Sequence, residues 1–144
     1  MIPAFDKRGC LPAGVPVKAT WEKFVERFAT TEYRRHLLGG LEKALKNLKQ
    51  AGCYKVYIDG SFITNKEKPG DWDACWELEG VDIALVDAVI LDADRIPDRM
   101  KAKYFGDLFL QAPRLPGGNF VSRFQRDRDG LKKGIVLIDL RTLP

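Results

Sequence analysis

The chain has 144 residues, 45% of them hydrophobic and 31% charged, with a formal net charge of +4. That balance fits one globular domain with a sizeable core and excludes a disordered or low-complexity chain. No apolar run approaches the ~20 residues of a membrane-spanning helix, and the N-terminal segment lacks a signal peptide's basic and apolar stretches, so a cytoplasmic protein without a membrane partner is expected.

A single domain, 1–144, is expected. Residues 1–17 carry Pro3, Pro12 and Pro16 with Gly9 and Gly14, which predicts an extended N-terminal arm. Thr20 has the chemistry of an N-cap. Trp21, Phe24, Val25 and Phe28 follow at the i, i+3, i+4, i+7 spacing of one apolar helical face. Thr30 or Thr31 caps a second helix whose stripe is Leu37, Leu41, Leu45 and Leu48, ending at Gly52. Gly39-Gly40 interrupts that stripe and predicts a bend.

Cys53 to Asp59 is rich in Val, Ile and Tyr and predicts a strand closed by Gly60-Ser61. Phe62–Asn65 starts a short helix, and Lys66 to Gly70 is a polar loop. Asp71 to Leu78 alternates Trp72, Ala74 and Trp76 with Asp73, Cys75 and Glu77, the period of a strand. The tryptophan side of that strand reads as core, with stacking on a base as the alternative. Val81 to Leu91 is apolar and predicts a helix, as does Pro97 to Tyr104. Gly106 to Leu110 predicts a third strand, Gln111 to Gly118 a loop, and Phe120 to Arg126 is ambiguous. Lys133 to Leu140 ends the pattern as a buried strand. Together these elements predict an α/β (α+β) fold: a small mixed β-sheet with packed helices, preceded by two N-terminal helices.

Cys10, Cys53 and Cys75 fall at no metal-ligand spacing and read as reduced, partly buried thiols. His36 is the only histidine, in a charged helical stretch, where a surface position is expected. A histidine-dependent triad and a multi-histidine zinc site are excluded. Residues 71–94 hold Asp71, Asp73, Glu77, Glu79, Asp82, Asp87, Asp92 and Asp94 without a single Lys or Arg. The following segment is basic. Its Arg123, Arg126, Arg128, Lys132 and Lys133 read either as a solvated face or as contacts to a nucleic acid acceptor.

The chemistry concentrates between Asp59 and Asp73. A Gly60-Ser61 turn after an apolar strand can hold a phosphate on backbone N–H groups. Asp71 and Asp73, two residues apart on a strand, present both carboxylates on one face. Those parts suit a nucleoside triphosphate (NTP) with Mg²⁺. Lys66 and Lys68 stand in the intervening loop, either solvated or touching the triphosphate. Read without a ligand, Gly60-Ser61 is a turn and N-cap, and Asp71 and Asp73 are strand-edge acids.

Tyr57-Ile58-Asp59-Gly60-Ser61, a nine-residue spacer and Asp71-Trp72-Asp73 resemble the signature of the nucleotidyltransferase superfamily. The wider run through Lys68-Pro69-Gly70, with Lys133 to Leu140 near the end, looks like a small bacterial and phage family within it. The specific match covers about residues 54–77. The resemblance implies that Gly60 and Ser61 bind the β- and γ-phosphates and that Asp71 and Asp73 hold two Mg²⁺ ions. It also implies that a third carboxylate helps activate the acceptor hydroxyl and that pyrophosphate leaves. Asp107, at a strand start, is the expected third acid, catalytic and metal-binding; Asp139 is its rival. The implied activity is transfer of a nucleoside monophosphate from NTP to a protein, RNA or small-molecule hydroxyl. The alternative is a catalytically weak or inactive protein of that fold, partnering another protein in a toxin–antitoxin or phage-defence pair. Asp59 departs from the pattern, since many relatives carry an apolar residue there; it is expected to cap the short helix that follows.

Overall fold

The computed structural model describes residues 1–144. Its centre is a five-stranded sheet in the order β1 (Val17–Ala19), β5 (Val136–Asp139), β2 (Lys55–Asp59), β3 (Trp72–Trp76), β4 (Gly106–Leu110). β2 runs antiparallel to both β3 and β5, while β1 and β4 pair parallel with β5 and β3. The sheet is mixed and helices pack against it, the α+β class expected from the sequence.

Register sorts the side chains into two faces. Val56 stands opposite Trp76 and Ile138, and Ala74 stands between Ile58 and Leu108. All six are buried, and they form the core with Phe24, Leu41, Leu45 and Leu48. The opposite face carries Tyr57, Asp59, Asp73, Cys75, Asp107 and Phe109, paired across the same three strands. The strand period therefore buries both tryptophans and sends the acids to the other side.

Helices α1 (Trp21–Phe28) and α2 (Glu32–Gln50) start where Thr20 and Thr31 accept backbone N–H bonds from Lys23 and Arg34, at 3.2 and 3.1 Å. α2 ends in a Schellman motif. Cys53 N–H reaches Leu48 C=O at 2.9 Å and Gly52 N–H reaches Lys49 C=O at 3.0 Å, with Gly52 at φ +102°. His36 is exposed and stacks on Phe105.

Gly39-Gly40 does not interrupt α2, which runs through both residues as continuous helix. Gly40 has a packing role instead. A Cβ there would lie 2.0 Å from the carbonyl oxygen of Tyr104, the last residue of α4 (Pro97–Tyr104). Trp72 Nε1–H donates to that same carbonyl at 3.0 Å. The turn leading into β4 is thus pinned between α2 and β3. Gly40→Ala gains about 1 kcal/mol of helix propensity but forces this contact apart, at a cost of about 1–3 kcal/mol for overpacking. Net destabilisation is expected, read as a lowered denaturation midpoint; an unchanged midpoint would show that the turn can move away.

Other expectations are corrected. Residues 1–17 are not only an arm, because Val17 begins β1, and the first element of the fold is a strand rather than a helix. Short strands of mixed polarity carry little periodic signal, and β1 forms because β5 offers it a partner. The arm itself is fixed: Leu11 is buried, and its carbonyl accepts Gly134 N–H at 2.8 Å. Val81 to Leu91 is not one helix but a 3₁₀ turn at Ile83–Leu85 and the single-turn α3 (Ala88–Leu91). Asp82 and Asp87 split it by capping each piece, accepting N–H bonds from Ala84 and Val89. The ambiguous 120–126 stretch contains α5 (Phe120–Phe124), whose Phe120 stacks on Phe109 at 4.5 Å.

Candidate functional site

Asp73 and Asp107 are register partners on parallel β3 and β4, and Asp59 faces Asp73 from β2. Asp71 lies just before β3. One carboxylate oxygen from each of Asp71, Asp73 and Asp107 comes within 4.8 Å of the other two, a spacing that one shared cation could bridge. Asp139 is excluded from this group. It sits at the other end of the sheet, opposite Lys55, and pairs with Arg141 at 2.9 Å.

The Gly-Ser turn abuts the acids. Gly60 adopts φ +91°, ψ −177°, a conformation that only glycine takes readily. A Cβ there would stand 3.0 Å from Asp73 N and 3.2 Å from Asp73 Oδ2. Ser61 opens a 3₁₀ turn, Ser61–Ile63, whose first N–H groups lack partners within the turn itself. The Ser61 hydroxyl accepts Gly70 N–H at 3.2 Å and lies 3.5 Å from the Asp71 carbonyl, closing the 64–70 loop on itself. Lys66 is exposed and makes no ion pair with any of the acids; the structure does not bring it to the cluster.

Electrostatics at the cluster are strained. Burial and then the charges of Asp71, Asp59 and Asp107 push the Asp73 carboxyl up to about 7. Asp107 is also raised, chiefly by burial, with Lys101 opposing. Lys101, from α4, places its ammonium 3.2 Å from Asp71 Oδ2 and 3.3 Å from Asp107 Oδ2. Those two hydrogen bonds hold its own pKa above the usual lysine value. A cationic group already sits against two of the three carboxylates, the charge that a metal would supply. Donor set and electrostatics both fit a hard divalent cation.

Asp59 does not cap the helix that follows. The 3₁₀ turn has no side-chain cap, and Asp59 instead pairs with Lys133 Nζ at 2.5 Å. Both side chains are largely buried, and burial outweighs the lysine in raising the Asp59 carboxyl. Lys101 and Arg34 are not among the residues the sequence points to, and Lys133, expected on a solvated face or against a nucleic acid, is largely buried against Asp59. Lys101 carried no signal. Asp59 did, since a carboxylate in place of an apolar strand residue requires a buried partner. So did Arg34, which stands three residues before Leu37 in the stripe of α2 and is buried.

The chain belongs to a family of unknown function, DUF6932, whose model matches residues 3–139. No curated protein and no solved structure matches it. No helix is long and apolar enough to cross a membrane.

Proposed function

We propose that this protein is a Mg²⁺-dependent nucleotidyltransferase that moves a nucleoside monophosphate from NTP to an acceptor hydroxyl. The observation that carries this reading is the apposition of the Gly60 turn against Asp73, within a cluster whose three carboxylate oxygens lie inside 4.8 Å. Asp71, Asp73 and Asp107 would hold Mg²⁺, which neutralises phosphate charge and polarises the P–O bonds. Gly60 and Ser61 orient the β- and γ-phosphates on backbone N–H groups. Asp107, beside Asp73 on β4, would take the proton from the acceptor hydroxyl. The acceptor oxygen forms a bond to the α-phosphorus, the bond from that phosphorus to the bridging oxygen breaks, and pyrophosphate leaves. Lys101, which bridges Asp71 and Asp107, would have to release them for a cation to be held there.

The test is transfer of label from α-³²P-NTP in the presence of Mg²⁺. Asp71→Ala is expected to abolish it while leaving the circular dichroism spectrum unchanged. Equal transfer by that variant would remove the acids from the chemistry.

A second reading, a protein partner of the toxin–antitoxin or phage-defence kind, draws on a separate feature. Ile83, Leu91, Leu110 and Leu115 are exposed around one groove of about 390 Å³ beside edge strand β4. Apolar clusters of this kind mark interaction surfaces. Leu110→Asp with Leu115→Asp is expected to release a co-purifying protein without affecting label transfer; retention of the partner would count against the groove.

A further inference from the structure

A cavity of about 260 Å³ has in its wall Lys133, the ion-pair partner of Asp59. Three separate segments build it: Ala13 and Gly14 of the N-terminal arm, Ser122 and Gln125 at the end of α5, and Arg126, Lys132 and Lys133 of the following hairpin. Gln125 Nε2–H donates to Gly14 C=O at 3.0 Å and ties arm to hairpin, while an isolated bridge pairs Arg126 with Lys132. No carboxylate lines the space. Arg126 donates to Gly130 C=O at 2.8 Å, and neither it nor Lys132 has a carboxylate within ion-pair distance. Lys133 is held at the wall by Asp59, which faces Asp73 across β2 and β3. Two unneutralised cations, a hydroxyl and an amide converge on one concavity, a donor-rich set without competing acceptor charge.

We infer that this cavity is a phosphate-binding site and that it seats a phosphate group of the acceptor. The role as acceptor site rests on the transferase reading; the anion site itself does not. The cavity connects to the acids through the Lys133–Asp59 pair and shares no lining residue with Gly60-Ser61, so it is separate from the triphosphate site. An acceptor that carries a phosphate near its reactive hydroxyl would be held by this cavity on one side and by the acid cluster on the other. Polynucleotide strands and small phosphorylated molecules share that chemistry, and size separates them.

The experiment measures binding without Mg²⁺ or NTP, which makes it independent of transfer. A fluorescein-labelled 12-nucleotide RNA is titrated by anisotropy between 50 and 200 mM KCl, and inorganic phosphate and AMP are titrated by NMR shift. The proteins are wild type, Arg126→Gln with Lys132→Ala, and Arg95→Ala with Arg99→Ala as surface control. The Arg126/Lys132 variant is expected to bind at least one of these ligands about tenfold more weakly. For RNA its salt slope should fall by about 0.7, the value for one lost phosphate contact on a single strand. The control should bind as wild type does. Binding of RNA assigns the site to a strand; binding of phosphate and AMP alone assigns it to a small acceptor; both support the site. An equal loss in control and cavity variants, or no binding of any probe at 50 mM KCl, overturns it. Lys132→Ala alone, which leaves the Arg126–Gly130 bond in place, guards against misfolding. If the site holds phosphate while label transfer fails, only the transferase reading is lost.

Discussion

Asp73→Asn is expected to raise the melting temperature of the metal-free protein by about 4–8 °C while cutting nucleotidyl transfer about a thousandfold. Opposite signs follow from one cause. Asp73 is crowded by Asp59, Asp71 and Asp107, and burial removes the water that would screen them. Its carboxyl is pushed up to about 7 in the folded chain, against an ordinary value of 3.8. A folded pKa above the unfolded one means that ionisation opposes folding: the penalty is complete above pH 7, fades as pH falls from 7 towards 4, and is absent below. The full penalty is about 2–4 kcal/mol, and at 2–4 °C per kcal/mol for a chain of this size even its lower bound gives the stated shift. Asparagine removes the charge at every pH. It also removes a ligand. Several kcal/mol of charge stabilisation at the transferring phosphate correspond to about three decades in rate. Wild type should therefore be stabilised both by acidification from pH 8 to 5 and by Mg²⁺, and the variant by neither at this site. Differential scanning calorimetry across pH, with and without Mg²⁺, reads both effects. A wild-type midpoint indifferent to Mg²⁺ at pH 8 would dispose of the cation site.

Alternation is a local pattern and set Asp71 and Asp73 on one face, whereas Asp107 came only from the resemblance; pairing β3 beside β4 puts Asp73 and Asp107 in register. Asp107 was preferred over Asp139 on the resemblance, and only strand order sets it beside Asp73, because both acids sit on apolar strands and nothing local says which strand lies next to β3. Leu37, Leu41, Leu45 and Leu48 announced α2, yet the reason for Gly40 lies in a carbonyl more than sixty residues away. β1 was invisible for the same reason: its stability comes from the edge of β5. What stayed hidden were the cations. Lysine and arginine are expected at the surface, and their burial depends on which carbonyls and carboxylates the fold happens to gather.

Arg34 is the strongest case. Only 4% of it is exposed, and no carboxylate pairs with it. Its charge is met by four backbone carbonyls instead. Nη1 donates to Phe28 at 3.2 Å and Phe62 at 2.7 Å, and Nη2 to Thr64 at 2.7 Å and Lys66 at 2.6 Å. One guanidinium thus joins α2 to the end of α1 and to the loop after Ser61. Burial pulls its pKa down, but carbonyl dipoles suffice to keep a guanidinium charged. Arg34→Met fills the same space and satisfies none of the carbonyls. Charge-assisted bonds contribute more than neutral ones, and orphaned acceptors carry their own desolvation cost, so a loss of about 3–5 kcal/mol is expected. That corresponds to a melting temperature lower by roughly 6–20 °C. Arg34→Lys retains the charge but not the fork, and should lose about half as much. The damage should be local first: the 64–70 loop, freed from its anchor, is expected to become the site of earliest cleavage under limited proteolysis, and the Ser61 turn it closes should bind NTP more weakly. Thermal denaturation of the three proteins decides the matter. A lysine variant as stable as wild type would mean that the charge alone matters, and a methionine variant within 1 kcal/mol would mean that the loop is held by its packing on Phe62 and not by the guanidinium.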